Sequence, residues 1–209
     1  MSVPTLLLGG MTTAYHQFLI NGPALAGVLT EHGCDVRLSE DLEVLTAPAL
    51  AQSYELIVNL TTGRQLSPAQ EAGLLGFVRG GRGLCGIHNA TDTFTGSAQY
   101  IAMIGGRFLR HPAQLDIAVE YAAEHPITAG LPPFAVHDEL YLMDWDPASV
   151  QLLASTRSHG DTAVPVAWVR TEGQGRVFYL SLGHNRSTYD VPEFRTFAGR
   201  GALWAAGRL

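Results

Sequence analysis

The segment Gly86-Ile87-His88-Asn89-Ala90 carries the strongest chemical signal in the chain. A buried-looking apolar run, GLCGI at 83–87, delivers His88 to a sharp turn, with small residues two positions before and two positions after it. That is the spacing of a nucleophile elbow, where a strained strand-to-helix turn exposes one side chain at the top of a sheet and the flanking positions must be small. Here the exposed group is an imidazole, which exchanges protons near neutral pH and ligates metals. The plain alternative is a histidine that merely caps the turn. A helix after the elbow would aim its first N–H groups and the positive end of its dipole at a ligand.

Leu182-Gly183-His184-Asn185 is the second signal, directly after the apolar run 177–182. A histidine leaving a strand end after glycine suits a general base or a ligand, and equally a histidine satisfied within the structure. His88 and His184 are the candidate catalytic residues. Candidate ligand contacts are His16, in the loop after the first strand, Asn89 and Asn185 beside the two histidines, Asp92, His111 and Glu139. Asp92 lies one turn beyond His88 on the expected helix, where it would orient the imidazole, contact a ligand hydroxyl or cap the helix. His111 precedes Pro112, whereas His125-Pro126 reads as a turn. Side chains alternate along a strand, so Asp138 and Glu139 are expected to face opposite ways. Glu139 then shares a face with His137 and Tyr141, and which acid meets a cleft stays open.

These residues need elements to position them. Apolar strand-like runs at 3–8, 34–38, 54–60 and 83–87 alternate with helical segments at 18–32, 47–52 and 68–79, the last with Ser67 as N-cap and Pro68 at its first position. Such runs predict a parallel sheet covered on both faces, with ligands beyond the carboxyl ends of its strands. That edge collects residues 9–16, 60–63 (with Thr61 and Thr62) and the turn after Ile87. The second half is strand-rich, at 115–121, 136–142, 151–155, 164–170 and 176–182, before a closing helix at 192–206. The expected fold is a single α/β domain over 1–209, a three-layer sandwich with a mainly parallel central sheet.

Composition bounds the function. The chain has 209 residues, 46% hydrophobic and 15% charged, with a net charge of −6, which fits a globular domain with a sizeable core. All 13 basic side chains are arginines, so Schiff-base and P-loop lysine chemistry are excluded. The arginines are scattered, which argues against nucleic acid. Gly9-Gly10-Met11-Thr12 is not a dinucleotide fingerprint, and no nucleotide cofactor is expected. Cys34 and Cys85 form no metal spacing, and no HExxH-like motif is present, so a divalent metal, which stays open, would need ligands from separate loops. No signal-peptide pattern or membrane-length apolar run is seen, and the chain reads as cytoplasmic without a membrane partner. A homo-oligomer is left open.

In combination these motifs resemble the ThuA-like, or trehalose-utilisation, family within the class I glutamine amidotransferase-like superfamily. The matching text is Tyr15-His16, Gly80-Gly81-Arg82-Gly83-Leu84, the segment from Gly86 to Asp92, Ile104-Gly105-Gly106, and Phe108 through His111-Pro112. It continues with His125-Pro126-Ile127, Asp138-Glu139-Leu140-Tyr141, Pro165-Val166-Ala167-Trp168, Gly175-Arg176-Val177, Gly183-His184-Asn185 and Trp204-Ala205-Ala206-Gly207. The resemblance implies a flavodoxin-like, amidotransferase-like fold and a carbohydrate-like small-molecule ligand. Amidotransferases of this fold place a cysteine at the elbow and a glutamate two places after the late histidine. Here those positions hold His88 and Arg186, and Cys85 lies within the strand, so no glutaminase activity is expected. Two readings follow: an enzyme of carbohydrate catabolism that uses His88 and His184, or a binding or regulatory module that kept the cleft and lost the chemistry.

Overall fold

The computed structural model describes residues 2–10 and 18–209. Their strands, in chain order, are β1 (Val3–Leu8), β2 (Cys34–Ser39), β3 (Leu56–Asn59), β4 (Gly83–Ile87), β5 (Gly106–Arg110) and β6 (Leu115–Tyr121), followed by β7 (Phe134–Asp138), β8 (Leu142–Trp145), β9 (Gln151–Thr156), β10 (Val164–Glu172) and β11 (Gly175–Leu180). The α-helices are α1 (Phe18–Glu31), α2 (Leu50–Ser53), α3 (Pro68–Arg79), α4 (Ala98–Ile104) and α5 (Pro192–Ala205). Among the described residues no helix is long and apolar enough to cross a membrane.

Nine strands form one sheet in the order β2-β1-β3-β4-β11-β10-β9-β6-β7, and β5 pairs with β8 in a separate ribbon. Strands β2, β1, β3, β4 and β11 run parallel; β11, β10, β9, β6 and β7 are joined antiparallel. The sheet is therefore evenly mixed, not mainly parallel. The reason lies between residues 88 and 191, where the only α-helix is α4. Each parallel pairing needs a long crossover, usually a helix; without helices the chain adds strands as an antiparallel extension.

The parallel half has the expected two faces. Leu7 packs with α1 and α5 through Leu25, Val28, Phe194 and Phe197, whereas its neighbours Leu6 and Leu8 pack with α3 and α4 through Leu74, Phe77, Tyr100 and Ile104. Alternate strand residues thus bury in opposite layers. At the start of α3, Ser67 accepts from the Gln70 N–H, as expected of an N-cap, and the Gln70 side chain accepts from the Ser67 N–H in return.

Two local expectations fail near the site. No α-helix follows the elbow: residues His88–Thr91 form a single 3-10 turn, with Asp92 as its C-cap. The expected strand at 136–142 is two elements, since β7 stops at Asp138 and β8 starts at Leu142.

Candidate functional site

β4 ends at Ile87, and His88 then takes φ 45, in the left-handed region that a non-glycine residue occupies only under constraint. The elbow reading thus holds at the backbone level. Its steric rule also holds. A Cβ on Gly86 would lie 2.7 Å from Ile104 Cδ1 and 3.0 Å from the Ala90 Cβ, so the turn closes only over small residues. The Tyr179 hydroxyl donates to the His88 carbonyl at 2.7 Å and ties the elbow to β11.

The elbow does not expose the imidazole as expected: His88 is 1% exposed, with Tyr141 packed against its ring. Its Nδ1 lies 2.7 Å from the Ser181 carbonyl. A carbonyl only accepts, so Nδ1 carries the proton and Nε2 is the reactive nitrogen. That nitrogen faces Glu139, with Oε2 at 3.5 Å. The same carboxylate oxygen also meets His184 Nδ1, at 3.1 Å. The two rings meet edge to face, with centroids 5.4 Å apart. His111 approaches the other carboxylate oxygen, its Nε2 3.6 Å from Oε1 and its Nδ1 turned to the Pro112 carbonyl. Tyr141, buried, lies against the His88 ring at 4.2 Å and against Phe108 at 4.2 Å.

Both acids of the 138–139 pair are used, in different ways. Asp138 is fully buried. Its Oδ1 accepts from the backbone N–H groups of Glu139 and His184, at 2.7 and 3.0 Å. Its Oδ2 accepts from the Gly183 N–H at 3.0 Å and the Thr188 hydroxyl at 2.5 Å. Asp138 therefore clamps the loop that presents His184. Because the Glu139 N–H turns to this carboxylate, the chain leaves the sheet at Asp138 and alternation ends there. Glu139 reaches the histidines, while His137 points outward to Asp116 at 2.8 Å. The expectation that Glu139 shares a strand face with His137 and Tyr141 fails for this reason: β7 ends at Asp138 and Tyr141 precedes β8.

Burial would raise the Glu139 carboxyl, but the hydrogen bonds and charges of His184 and His88 prevail and hold it well below its ordinary range. His184 shows the converse: burial would lower it, and Glu139, with help from Asp138, raises it above its ordinary value. The cluster favours a carboxylate facing a protonatable imidazole. Asp92 is half-buried, and burial pushes its carboxyl up against the opposing pull of His88.

Of the sequence candidates, the fold brings His88, Glu139, His184 and His111 together, with Asp92 close enough to feel the charges of His88, Glu139 and His111. Asn89 is buried and turns its amide to the Leu60 carbonyl and the Thr62 hydroxyl. The Asn185 amide holds Gln114 and the His137 carbonyl, both at 2.9 Å. His16 lies outside the described residues. Thr61 is buried in a hydrogen-bonded group with Asn59 and Thr93. The role of Asp138 as a clamp was not legible in the sequence, because its pairing with residues 183 and 184 has no local signature. Cys85 is fully buried in β4, where burial pushes its thiol up, and Arg186 pairs outward with Asp190. The carboxylate beside the late histidine thus comes from the end of β7 rather than from position 186.

A family model described as ThuA, trehalose utilisation, matches residues 6–205. The fold is shared with a protein described as ThuA-like from Parabacteroides merdae at a TM-score of 0.85 and 19% identity, covering 99% of this chain and 90% of that one. A second protein so described, from Bacteroides uniformis, aligns at a TM-score of 0.76 and 18% identity over 98% of this chain and 92% of its own. A β-galactosidase from Bacillus circulans contains a similar fold at a TM-score of 0.70 and 9% identity; there the match spans 98% of this chain and 31% of the larger enzyme. At these identities the likeness is one of fold. No curated protein sequence matches significantly.

Proposed function

The chain belongs to the ThuA, trehalose utilisation, family, and on that premise we propose that it binds and acts on a sugar or sugar derivative in carbohydrate catabolism, with His88, Glu139 and His184 as its reacting centre. The observation that carries this reading is the convergence of two histidines from separate strand ends on one oxygen of Glu139, at 3.5 and 3.1 Å. Chemistry at a sugar hydroxyl or carbonyl needs a proton donor and a proton acceptor held within reach of one atom. His184, raised by Glu139, supplies a donor. His88, with its Nδ1–H given to the Ser181 carbonyl, presents Nε2 as the second proton-exchanging group. His111 and Asp92, less buried, contact the substrate's other hydroxyls, with Asn89 and Asn185 bracing the loops beside them. Glutamine hydrolysis is not part of this reading, because the elbow carries an imidazole and Cys85 is an inert packing thiol. The order β2-β1-β3-β4-β11 of the parallel half supports a flavodoxin-like reading of that half, in which ligands sit beyond the strand carboxyl ends. A cytoplasmic setting belongs to the same reading.

The test is turnover of disaccharides and of keto-sugars by the purified chain, assayed with and without added divalent metal. His88→Ala and His184→Ala are each expected to lower turnover by about 10²–10⁴-fold, the usual worth of a positioned acid or base. Replacement of the elbow nucleophile by an imidazole also fits a binding module. That second reading prevails if wild type shows saturable sugar binding, abolished in His88→Ala, but no turnover of any sugar tried.

A further inference from the structure

We propose that His88, Glu139 and His184 form a site for a late first-row divalent cation, with zinc as the type ion. The role given to the cation rests on the sugar-directed reading above; the existence of the site rests on geometry alone. One ligand atom from each residue lies within 4.8 Å of the others. The separations from Glu139 Oε2, 3.5 Å to His88 Nε2 and 3.1 Å to His184 Nδ1, are informative. A charge-assisted hydrogen bond closes to about 2.7–2.9 Å, so the hydrogen bonds that His88 and His184 make to Glu139 are long ones. A cation with bonds of about 2.0–2.2 Å sets neighbouring ligand atoms about 3.0 Å apart at right angles and about 3.4 Å apart at tetrahedral angles. The two edges from Glu139 therefore match those of a coordination polyhedron, and the ligand atoms of His88 and His184 lie within 4.8 Å of each other.

The surroundings match as well. A metal-binding histidine normally donates its second ring N–H to a carbonyl or carboxylate, which fixes the tautomer and aims the lone pair. His88 Nδ1 does this with the Ser181 carbonyl. Asp138 fixes the backbone of both other ligands, through the N–H groups of Glu139 and His184. Two imidazoles and one carboxylate favour zinc, iron(II) or nickel(II) over calcium or magnesium. Three protein ligands among the described residues leave a coordination position for a water or for a sugar oxygen. His111, on the other oxygen of Glu139, stands beside the cluster as a proton partner rather than as a ligand. The cation would polarise a sugar carbonyl or hydroxyl, which is the same work the imidazoles would do alone, done with more charge.

The experiment is titration of the full, chelator-stripped chain with zinc by calorimetry, with metal content then measured after dialysis. One ion per chain is expected. His88→Ala, Glu139→Gln and His184→Ala should each weaken binding by more than about 100-fold, since even outer partners of such sites are worth 10–100-fold. His125→Ala, a histidine outside the cluster, should leave binding unchanged. X-ray absorption of the zinc-loaded wild type gives a reading that needs no variant: two imidazoles are expected in the first shell at about 2.0–2.1 Å. Absence of stoichiometric binding, binding that survives in all three variants, or a shell without imidazole overturns the site. Stoichiometric binding without sugar turnover keeps the cation site and removes the sugar reading. Turnover by stripped protein that is insensitive to zinc, yet lost in His88→Ala, keeps the sugar reading and removes the cation's role in it.

Discussion

The parallel and antiparallel halves of the sheet deliver parts of the same site by different means. In the parallel half, His88 and His184 follow the carboxyl ends of adjacent strands, β4 and β11, and each is presented by a local device. For His88 that device is a left-handed turn over Gly86 and Ala90; for His184 it is Gly183 at φ 121. In the antiparallel half, Glu139 is presented by the termination of β7, and that termination depends on Asp138 bonding to residues 45 and more positions away. The first device is written in neighbouring residues. The second exists only once the two halves have met. The clamp also works in both directions: the carboxylate that holds the His184 loop belongs to the residue preceding the one that holds the imidazoles.

The comparison breaks hardest at Asp138. Asp138→Ala leaves the N–H groups of Glu139, Gly183 and His184 and the Thr188 hydroxyl without their acceptor. Each buried donor left unsatisfied costs about 1–3 kcal/mol. The variant is expected to lose at least about 3 kcal/mol in urea unfolding, and Asp138→Asn, which keeps one acceptor oxygen, less. A loss below about 1 kcal/mol would show that the halves are joined elsewhere.

Intermediate in size is the pH dependence of chelator-treated protein. Glu139 sits below its ordinary 4.5, so its contribution to stability is complete above that pH and is lost on acidification toward its depressed value. His184 sits above its ordinary 6.5, so its contribution is complete below that pH and is lost as pH rises through its raised value. The Tm is expected to be highest between these limits, and Glu139→Gln should flatten both flanks. Parallel profiles for the two proteins would mean that the pair is not ionised in the fold.

The smallest effect sharpens the contrast at the elbow. At an ordinary strand or helix position glycine is less stable than alanine by about 0.5–1 kcal/mol. At His88, with φ 45, the order should invert: His88→Gly is expected to be more stable than His88→Ala by about 1 kcal/mol, as read from unfolding midpoints. The usual order would show that the elbow relaxes once the imidazole is gone.

Much of the fold was legible because its signals are local. The run 83–87, the small residues flanking His88, the cap at Ser67 and the glycine before His184 each act within a few residues, through sterics or a single turn of hydrogen bonding. Two things were hidden. The balance of parallel and antiparallel pairing depends on which strands meet, and the sequence shows strand character more readily than partner. The roles of Asp138 and Glu139 were hidden because strand alternation assigns opposite faces to neighbours, and alternation holds only while the ladder continues.

The sequence by itself determined that an imidazole occupies the elbow, that a second histidine leaves a late strand, and that the cysteine and glutamate of an amidotransferase are absent from their positions. Only the tertiary structure decided that Glu139 lies between the two histidines and that its neighbour fastens the loop beside it. The physical reason is range. Backbone sterics at a turn are settled by adjacent residues, whereas a buried carboxylate takes its place from whichever donors the packed chain brings to it.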